Sequence, residues 1–228
     1  MRRDLPHAPR AGVASADPSG LPSAGDPVDP GDHRVAATPQ AMSDRIDFLR
    51  GFIAHPDQVG SVIPSSHKLE QRLVGNARLT RARCVVELGP GTGGTTRAFL
   101  GAMPTASHLL AIELNTDFAA RLRTSIRDPR LKVVHGSAEL IERLLAEHGL
   151  PAPDAVISGI PFSTMPREVA DRIAAAVAQV LKPGGRFVAY QFRAHVAGYV
   201  TPYLGAPRRE WEFINIPPVR LFTWTRGG

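Results

Sequence analysis

A glycine-rich segment, Gly89-Pro90-Gly91-Thr92-Gly93-Gly94, directly follows the apolar run Cys84-Val85-Val86-Glu87-Leu88. The run predicts a buried strand, and glycines 89, 91 and 94 match the G-x-G-x-x-G spacing of a turn that opens a helix. Because these residues lack a Cβ, the backbone can turn tightly there and approach a ligand closely. The segment predicts a nucleotide-binding loop; the alternative is a tight turn that binds nothing.

Two acidic residues support the prediction of a nucleotide-binding loop. Glu87 stands two residues before the first glycine, and Glu113 ends the apolar run 109–112. In nucleotide-binding α/β folds, a carboxylate at the end of the second strand accepts hydrogen bonds from the ribose. With Pro90 between the first two glycines, the run Glu-Leu-Gly-Pro-Gly-Thr-Gly resembles motif I of class I S-adenosylmethionine methyltransferases. This resemblance implies S-adenosylmethionine (SAM) as the cofactor.

Length and composition narrow the class of protein. The chain has 228 residues, a formal net charge of +6 and one cysteine, Cys84, which excludes an intrachain disulfide and suits a reducing cytoplasm. No apolar run approaches the ~20 residues that a membrane-spanning helix needs. The eight histidines form no H-x-H or H-x₃-H pair, so no metal site is predicted.

The sequence divides into three parts. Residues 1–41 are rich in Pro, Gly, Ala, Asp and Ser, and this composition predicts a disordered tail. Residues 42–82 are predicted to form N-terminal helices, and residues 83–228 the SAM-binding catalytic domain. The tail carries a charge of −1 and the remainder +7. A basic body favours anionic partners such as nucleic acid or a phospholipid surface, although scattered solvated side chains also explain a modest excess.

An amphipathic helix is predicted over residues 43–54, with Ile46, Phe48, Leu49, Phe52 and Ile53 on one face. Two interpretations stay open. The helix either covers the core of its own domain or lies in a membrane interface, which its phenylalanines and flanking arginines would suit.

From the glycine loop onward, strands and helices alternate, which predicts a doubly wound sheet. Strands are placed near 84–88, 108–113, 131–135, 154–158 and 186–192, and helices near 66–79, 95–102, 116–126, 137–148 and 166–181. Runs 210–215 and 219–225 follow; their link is too short for a parallel crossover, so they predict an antiparallel hairpin. The predicted fold class is α/β: a Rossmann-like, seven-stranded class I methyltransferase sheet of five parallel strands plus a C-terminal antiparallel hairpin, with N-terminal helices.

The fourth predicted strand ends in Ser158-Gly159-Ile160-Pro161-Phe162. In related enzymes that methylate amines, this position carries Asn/Asp-Pro-Pro-aromatic, whose carbonyl groups hold the target nitrogen. Gly159 here replaces the polar side chain, which argues against a nucleobase amine as the acceptor. The alternative is an ordinary turn at a strand end.

Several further stretches occur in a characteristic order: Phe48-Leu49-Arg50, the stretches 62–65, 86–93 and 158–161, Met165-Pro166, 181–185, Tyr190-Gln191-Phe192 and the stretch 215–218. Together they resemble the bacterial phospholipid N-methyltransferases, over about Phe48 to Thr225. This resemblance implies stepwise conversion of phosphatidylethanolamine to phosphatidylcholine at a membrane surface.

The resemblance also implies roles for individual residues. Those implied for catalysis are Gly159, Ile160, Pro161 and Tyr190. Those implied for cofactor binding are Glu87, Gly89, Gly91, Gly93, Glu113, Leu114, Ser137, Ala138 and Ser158. Those implied for the lipid substrate are Ser65, Phe162, Tyr190, Arg193 and Asn215. Ser137 stands where an acidic partner of the adenine is usual, and a hydroxyl accepts that hydrogen bond more weakly. Phe162 and Tyr190 are expected to face the methylated cation; alternatively, Tyr190 and Arg193 bind the phosphodiester.

The expected partners are the phospholipid membrane surface and its lipid amine, with neither nucleic acid nor metal, for a monomer on the cytoplasmic face of the membrane. Three alternatives remain. The chain could methylate ornithine lipids, or adenine in ribosomal RNA, or it could be a catalytically silent SAM-binding module at a membrane surface.

Overall fold

Apolar strands that alternate with amphipathic helices build one mixed sheet with helices on both faces. The computed structural model describes residues 66–214 and 218–227. The predicted tail, the predicted helix 43–54, Ser65 and Asn215 lie outside these residues.

The elements of the described residues follow the predicted alternation. The strands are β1 (Cys84–Leu88), β2 (His108–Glu113), β3 (Leu131–His135), β4 (Ala155–Ser158), β5 (Arg186–Gln191), β6 (Arg208–Glu212) and β7 (Val219–Thr225). The α-helices are α1 (His67–Asn76), α2 (Gly94–Ala102), α3 (Thr116–Ser125), α4 (Ile141–Glu147), α5 (Arg167–Val180) and α6 (His195–Leu204), with short 3₁₀ turns at Leu79–Arg81 and Ala138–Leu140.

The sheet has the order β3-β2-β1-β4-β5-β7-β6. Strands β1 to β5 pair in parallel, whereas β7 runs antiparallel to both β5 and β6. The predicted fold class is therefore confirmed. Strand order reverses between β1 and β4, and ligands of such sheets bind beyond the carboxyl ends of the strands at this point.

The central strands are buried on both faces because helices cover each side. Val86 and Val156 pack on the face that holds α4, α5 and α6. Val85 and Ile157 pack on the opposite face, with side chains of α1 and α2. This burial explains why these strands are continuous apolar runs rather than alternating ones.

Three elements differ from the sequence-based prediction. Helix α6 was not predicted, because Gly198 and Pro202 interrupt its pattern, yet Val196 and Val200 anchor it in the core. The helix predicted over 137–148 is divided into a 3₁₀ turn and α4. Strand β6 begins at Arg208 and ends at Glu212, earlier than predicted. No helix in the ranges 66–214 and 218–227 is long and apolar enough to cross a membrane.

Candidate active site

The glycine loop joins β1 to α2 at the switch point of the sheet. Gly89, Gly91 and Gly93 have φ values of 72°, 55° and 85°, in the left-handed region that favours glycine. A Cβ at Gly93 would lie 2.5 Å from Leu122 Cδ2 of α3, so this leucine side chain would have to shift. A Cβ at Gly91 would meet nothing within 4 Å. The loop therefore borders open space at Gly91, as a ligand-binding loop must.

Glu113 holds this loop from the end of β2. Its Oε2 accepts a hydrogen bond of 3.0 Å from the Gly91 amide, and its Oε1 accepts one of 2.9 Å from the Asn115 amide. Burial raises the pKa of Glu113, while these amides oppose the rise. Each carboxylate oxygen keeps a second acceptor site, so contacts to ribose hydroxyls remain compatible with both bonds. The sequence did not indicate the contact with Gly91.

Glu87 lies beneath the loop rather than in the open space. Its side chain is buried, and its two carboxylate oxygens accept hydrogen bonds of 2.5 Å from Thr95 Oγ1 and 2.7 Å from Thr96 Oγ1. Burial raises the pKa of Glu87 to about 7. In the described residues, Glu87 thus contacts the first turn of α2, and its predicted influence on the cofactor would be indirect.

The ends of β2 and β3 bring Leu114, Ser137 and Ala138 to the same edge of the sheet. Ser137 Oγ donates to Glu139 Oε2 at 3.1 Å. Glu139 also pairs with Arg172 of α5. Glu139 was missed as a candidate, although it places a carboxylate two residues after the serine that replaces the usual acid.

Gln191 fixes the turn that follows β4. Its Nε2 donates to the Ile160 carbonyl at 2.7 Å, and its Oε1 accepts from the Phe162 amide at 3.3 Å. The Gly159 amide donates to the Leu88 carbonyl at 3.0 Å, and Ser158 Oγ accepts from the Ile160 amide. The turn is therefore held between β1 and β5, beside the glycine loop. Gln191 was not among the predicted site residues, although it lies within the Tyr-Gln-Phe stretch.

Phe162 occupies the core instead of the site. Only 1% of its surface is exposed, and its ring packs 6.3 Å from that of Tyr199, centroid to centroid. The expectation that Phe162 faces the methylated cation is therefore wrong for this structure. The reason is that the Gln191 bonds turn the chain at Pro161 and direct the next side chain inward.

Tyr190 meets Gly159 at the centre of the site. A Cβ at Gly159 would lie 2.9 Å from Tyr190 Cζ and closer still to the hydroxyl oxygen. The side chain of Thr95 also interacts with this hydroxyl. Tyr190 thus fills the space that a polar side chain at position 159 would occupy.

The charges around Tyr190 indicate what can bind beside it. Burial and the neighbouring Glu87 and Glu113 carboxylates raise the pKa of the Tyr190 hydroxyl. Negative charge at this place would repel a phosphodiester and attract a cationic amine. The expectation that Tyr190 binds the lipid phosphate stays a prediction, which this charge disfavours. Arg193 is exposed two residues beyond β5, and its role with the phosphate stays a prediction.

Three comparisons place these features among known proteins. Residues 85–185 match the family model of a methyltransferase domain. The chain is 33% identical over 147 residues to the ornithine lipid N-methyltransferase of Singulisphaera acidiphila, which covers 64% of this chain and 77% of the relative. It is 36% identical over 123 residues to the ribosomal RNA small subunit methyltransferase A of Bordetella pertussis, which covers 54% of this chain but 40% of the relative.

A solved structure shows the same fold. The 1,6-didemethyltoxoflavin-N1-methyltransferase of Burkholderia thailandensis, solved with 1,6-didemethyltoxoflavin and S-adenosylhomocysteine bound, superimposes with a TM-score of 0.60 at 16% identity. The match covers 87% of this chain and 94% of that one.

Proposed function

Because the chain belongs to the class I S-adenosylmethionine-dependent methyltransferases, we propose that it methylates the primary amine of a membrane lipid head group. Phosphatidylethanolamine, methylated stepwise, is the substrate that its sequence resemblance favours. The amine of an ornithine lipid is the alternative that the Singulisphaera relative favours. The observation that carries the proposal is the Tyr190 hydroxyl, which stands in place of a side chain at Gly159 beside two carboxylates.

The cofactor is S-adenosylmethionine, which supplies a methyl group already activated for transfer. The residues of the site fit it. Glu113 would hold the ribose, and the open space at Gly91 would admit the methionine part close to the backbone. Leu114, Ser137 and Ala138 would border the adenine.

A lipid amine reaches the site largely as an ammonium, so a proton must leave before the nitrogen lone pair is free. Three side chains would relay this proton. The Tyr190 hydroxyl interacts with the side chain of Thr95, and Thr95 Oγ1 donates to Glu87 Oε1 at 2.5 Å. With a pKa of about 7, Glu87 is ionised in a large share of molecules at neutral pH and can accept a proton.

Tyr190 Oη takes one proton from the ammonium as its own proton passes to Thr95 Oγ1 and that of Thr95 passes to Glu87 Oε1. The amine becomes neutral, Glu87 becomes a neutral carboxyl, and Tyr190 and Thr95 keep their hydroxyls. The nitrogen lone pair is then free to accept the methyl group. Glu87 returns its proton to solvent along the same path after the product leaves.

Methylation of adenine in RNA is the second candidate, favoured by the ribosomal RNA methyltransferase of Bordetella and by the basic charge. Two observations weigh against it. An adenine amine is already neutral, so no proton has to leave it before the methyl group is transferred. In addition, position 159 offers no carboxamide to hold a nucleobase nitrogen.

Transfer of labelled methyl groups tests the proposal. Wild-type protein is incubated with labelled SAM and, separately, with phosphatidylethanolamine, an ornithine lipid and ribosomal RNA. We expect label in a lipid, and Tyr190→Phe should lower the rate roughly ten- to a hundredfold with unchanged affinity for S-adenosylhomocysteine. Label in RNA alone would overturn the proposal.

A further inference from the structure

Four large apolar side chains are exposed near one edge of the sheet: Phe192, Trp211, Phe213 and Ile214. We call this set the aromatic edge. Phe213 and Ile214 are 68% and 62% exposed, and the rings of Trp211 and Phe213 stack with centroids 5.6 Å apart. Scattered exposed apolar residues are ordinary, but a cluster marks an interaction surface. Of the large apolar side chains exposed in the described residues, Tyr203 alone lies apart, at the far end of α6.

Strand register places the aromatic edge beside the active site. Gln191 of β5 pairs with Arg220 of β7, which pairs with Trp211 of β6. Because β5 and β6 both run antiparallel to β7, they point the same way. Phe192 and Phe213 therefore leave the sheet at the edge where β4 ends in the active-site turn. Two strand spacings, or about 10 Å, separate β6 from the strand of Tyr190.

The charged residues around the aromatic edge carry a net positive charge. Glu212 of β6 pairs with Arg72 of α1, and Glu210 pairs with both Arg72 and Arg208. Arg220 lies over the Trp211 ring, with Cζ 4.4 Å from its centroid. Arg193, Arg209 and Arg220 have no carboxylate partner among the residues that the structure describes.

We propose that the aromatic edge docks this protein onto the interface of a bilayer that contains anionic lipid. A tryptophan ring, with its polar N–H, and neighbouring basic side chains suit the headgroup region of a membrane. The arginines attract anionic lipid, and the apolar side chains enter the boundary of the acyl chains. Docking in this orientation presents the end of β4 to the membrane. The inference rests on the proposed lipid substrate, which would then enter the site without leaving the bilayer.

The two tryptophans of the chain make the test direct. Trp224 is buried, and Trp211 belongs to the aromatic edge. Full-length protein is titrated with vesicles of phosphatidylethanolamine and phosphatidylglycerol, some of which carry brominated acyl chains that quench nearby tryptophan. We expect vesicles to shift Trp211 emission to shorter wavelength, brominated lipid to quench it, and Trp211→Phe to abolish both changes.

Two variants measure the energetic contribution. Phe213→Ser and Ile214→Ser together should weaken vesicle binding roughly tenfold or more. Tyr203→Ser, an exposed aromatic away from the edge, is the matched control and should bind as the wild type does. Added salt should weaken binding, because the arginines contribute through screened attraction.

Three outcomes would overturn the inference. Unchanged vesicle binding by the double variant, with no quenching of Trp211, removes the docking surface. If Trp211 emission shifts with protein concentration in the absence of lipid, the surface binds a second copy of the chain instead. If deletion of residues 1–56 shifts Trp211 emission to longer wavelength in the absence of lipid, the surface is covered by the N-terminal segment of the same chain instead.

Methyl transfer in detergent micelles separates this inference from the proposed function. If the aromatic edge only docks, the double variant should methylate lipid in micelles at the wild-type rate and lose activity on vesicles. If the wild type methylates no lipid in micelles although Trp211 is quenched by vesicles, the substrate proposal fails and the docking surface stands.

Discussion

The phenol ring of Tyr190 occupies the space into which a side chain at Gly159 would project, so this position must be glycine for the ring to lie there. This pairing explains the glycine that replaces the polar residue usual in amine methyltransferases. We therefore expect the Tyr190 hydroxyl to take the functional role that a polar side chain at position 159 has in those enzymes.

The first prediction concerns this pair. Gly159→Ala should displace the Tyr190 ring and destabilise the protein by roughly 1–3 kcal/mol, with a loss of methyl transfer similar to that of Tyr190→Phe. The double variant should be no slower than the slower single variant, because both changes remove one hydroxyl from one place. Rate losses that multiply would show that the two residues act independently.

The second prediction concerns the proton path. Wild-type methyl transfer should rise with pH through about 7 as Glu87 ionises, with Glu113 and Tyr190 as the other titratable groups that interact with it. Glu87→Gln should lower the rate roughly a hundredfold and remove this rise. Thr95→Val should lower the rate to a similar extent. Thr96→Val also removes a hydrogen bond to Glu87, but Thr96 lies outside the proposed path, so this variant should lower the rate less. Calorimetry with S-adenosylhomocysteine checks that each variant still binds. Equal effects of the two threonine variants would contradict the path.

The third prediction concerns stability. The folded-state pKa of Glu87 is raised from 4.5 to about 7, so the folded protein binds more protons than the unfolded chain between these values. The contribution of Glu87 is therefore fully present below pH 4.5 and is lost as pH rises through about 7. Relative to Glu87→Gln, the free energy of unfolding of the wild type should fall by roughly 3 kcal/mol at most across this pH range. Urea unfolding of both proteins over a pH series measures this difference. If the two free energies of unfolding change with pH in parallel, the prediction is wrong.

The fourth prediction concerns Glu113. Glu113→Ala should weaken the binding of S-adenosylhomocysteine by about 1–3 kcal/mol, since it removes the ribose acceptor and releases the Gly91 amide. Glu113→Gln keeps one acceptor oxygen and should lie between the alanine variant and the wild type. Calorimetric titration decides, and an unchanged affinity in both variants would remove Glu113 from the cofactor site.

The fifth prediction compares two adjacent glycines. Gly93→Ala should destabilise the protein by roughly 1–3 kcal/mol, because it combines a positive φ with a clash against Leu122. Gly94→Ala is the matched control: it begins α2 in open space and should change stability by less than about 1 kcal/mol. Thermal unfolding compares them. Equal losses would mean that the left-handed conformation at Gly93 is not required.

The sequence alone determined the features that depend on neighbouring residues. Strand β1, the glycine loop and the acidic end of β2 are local patterns of burial and backbone freedom, and the sheet they predict is confirmed. The terminal hairpin followed from a link too short for a crossover. SAM as cofactor came from the resemblance that these local patterns carry. The roles of individual site residues stay predictions.

Only the tertiary structure decided which side chains meet. Glu87, Thr95 and Tyr190 come from β1, α2 and β5, and nothing in their spacing shows that they lie together. Their contact depends on the insertion of β4 between β1 and β5 and on the register of both pairings. Likewise, the inward turn of Phe162 depends on Gln191, 29 residues away in sequence. Local patterns reflect covalent geometry, whereas such contacts arise only when the strands take their places in the sheet.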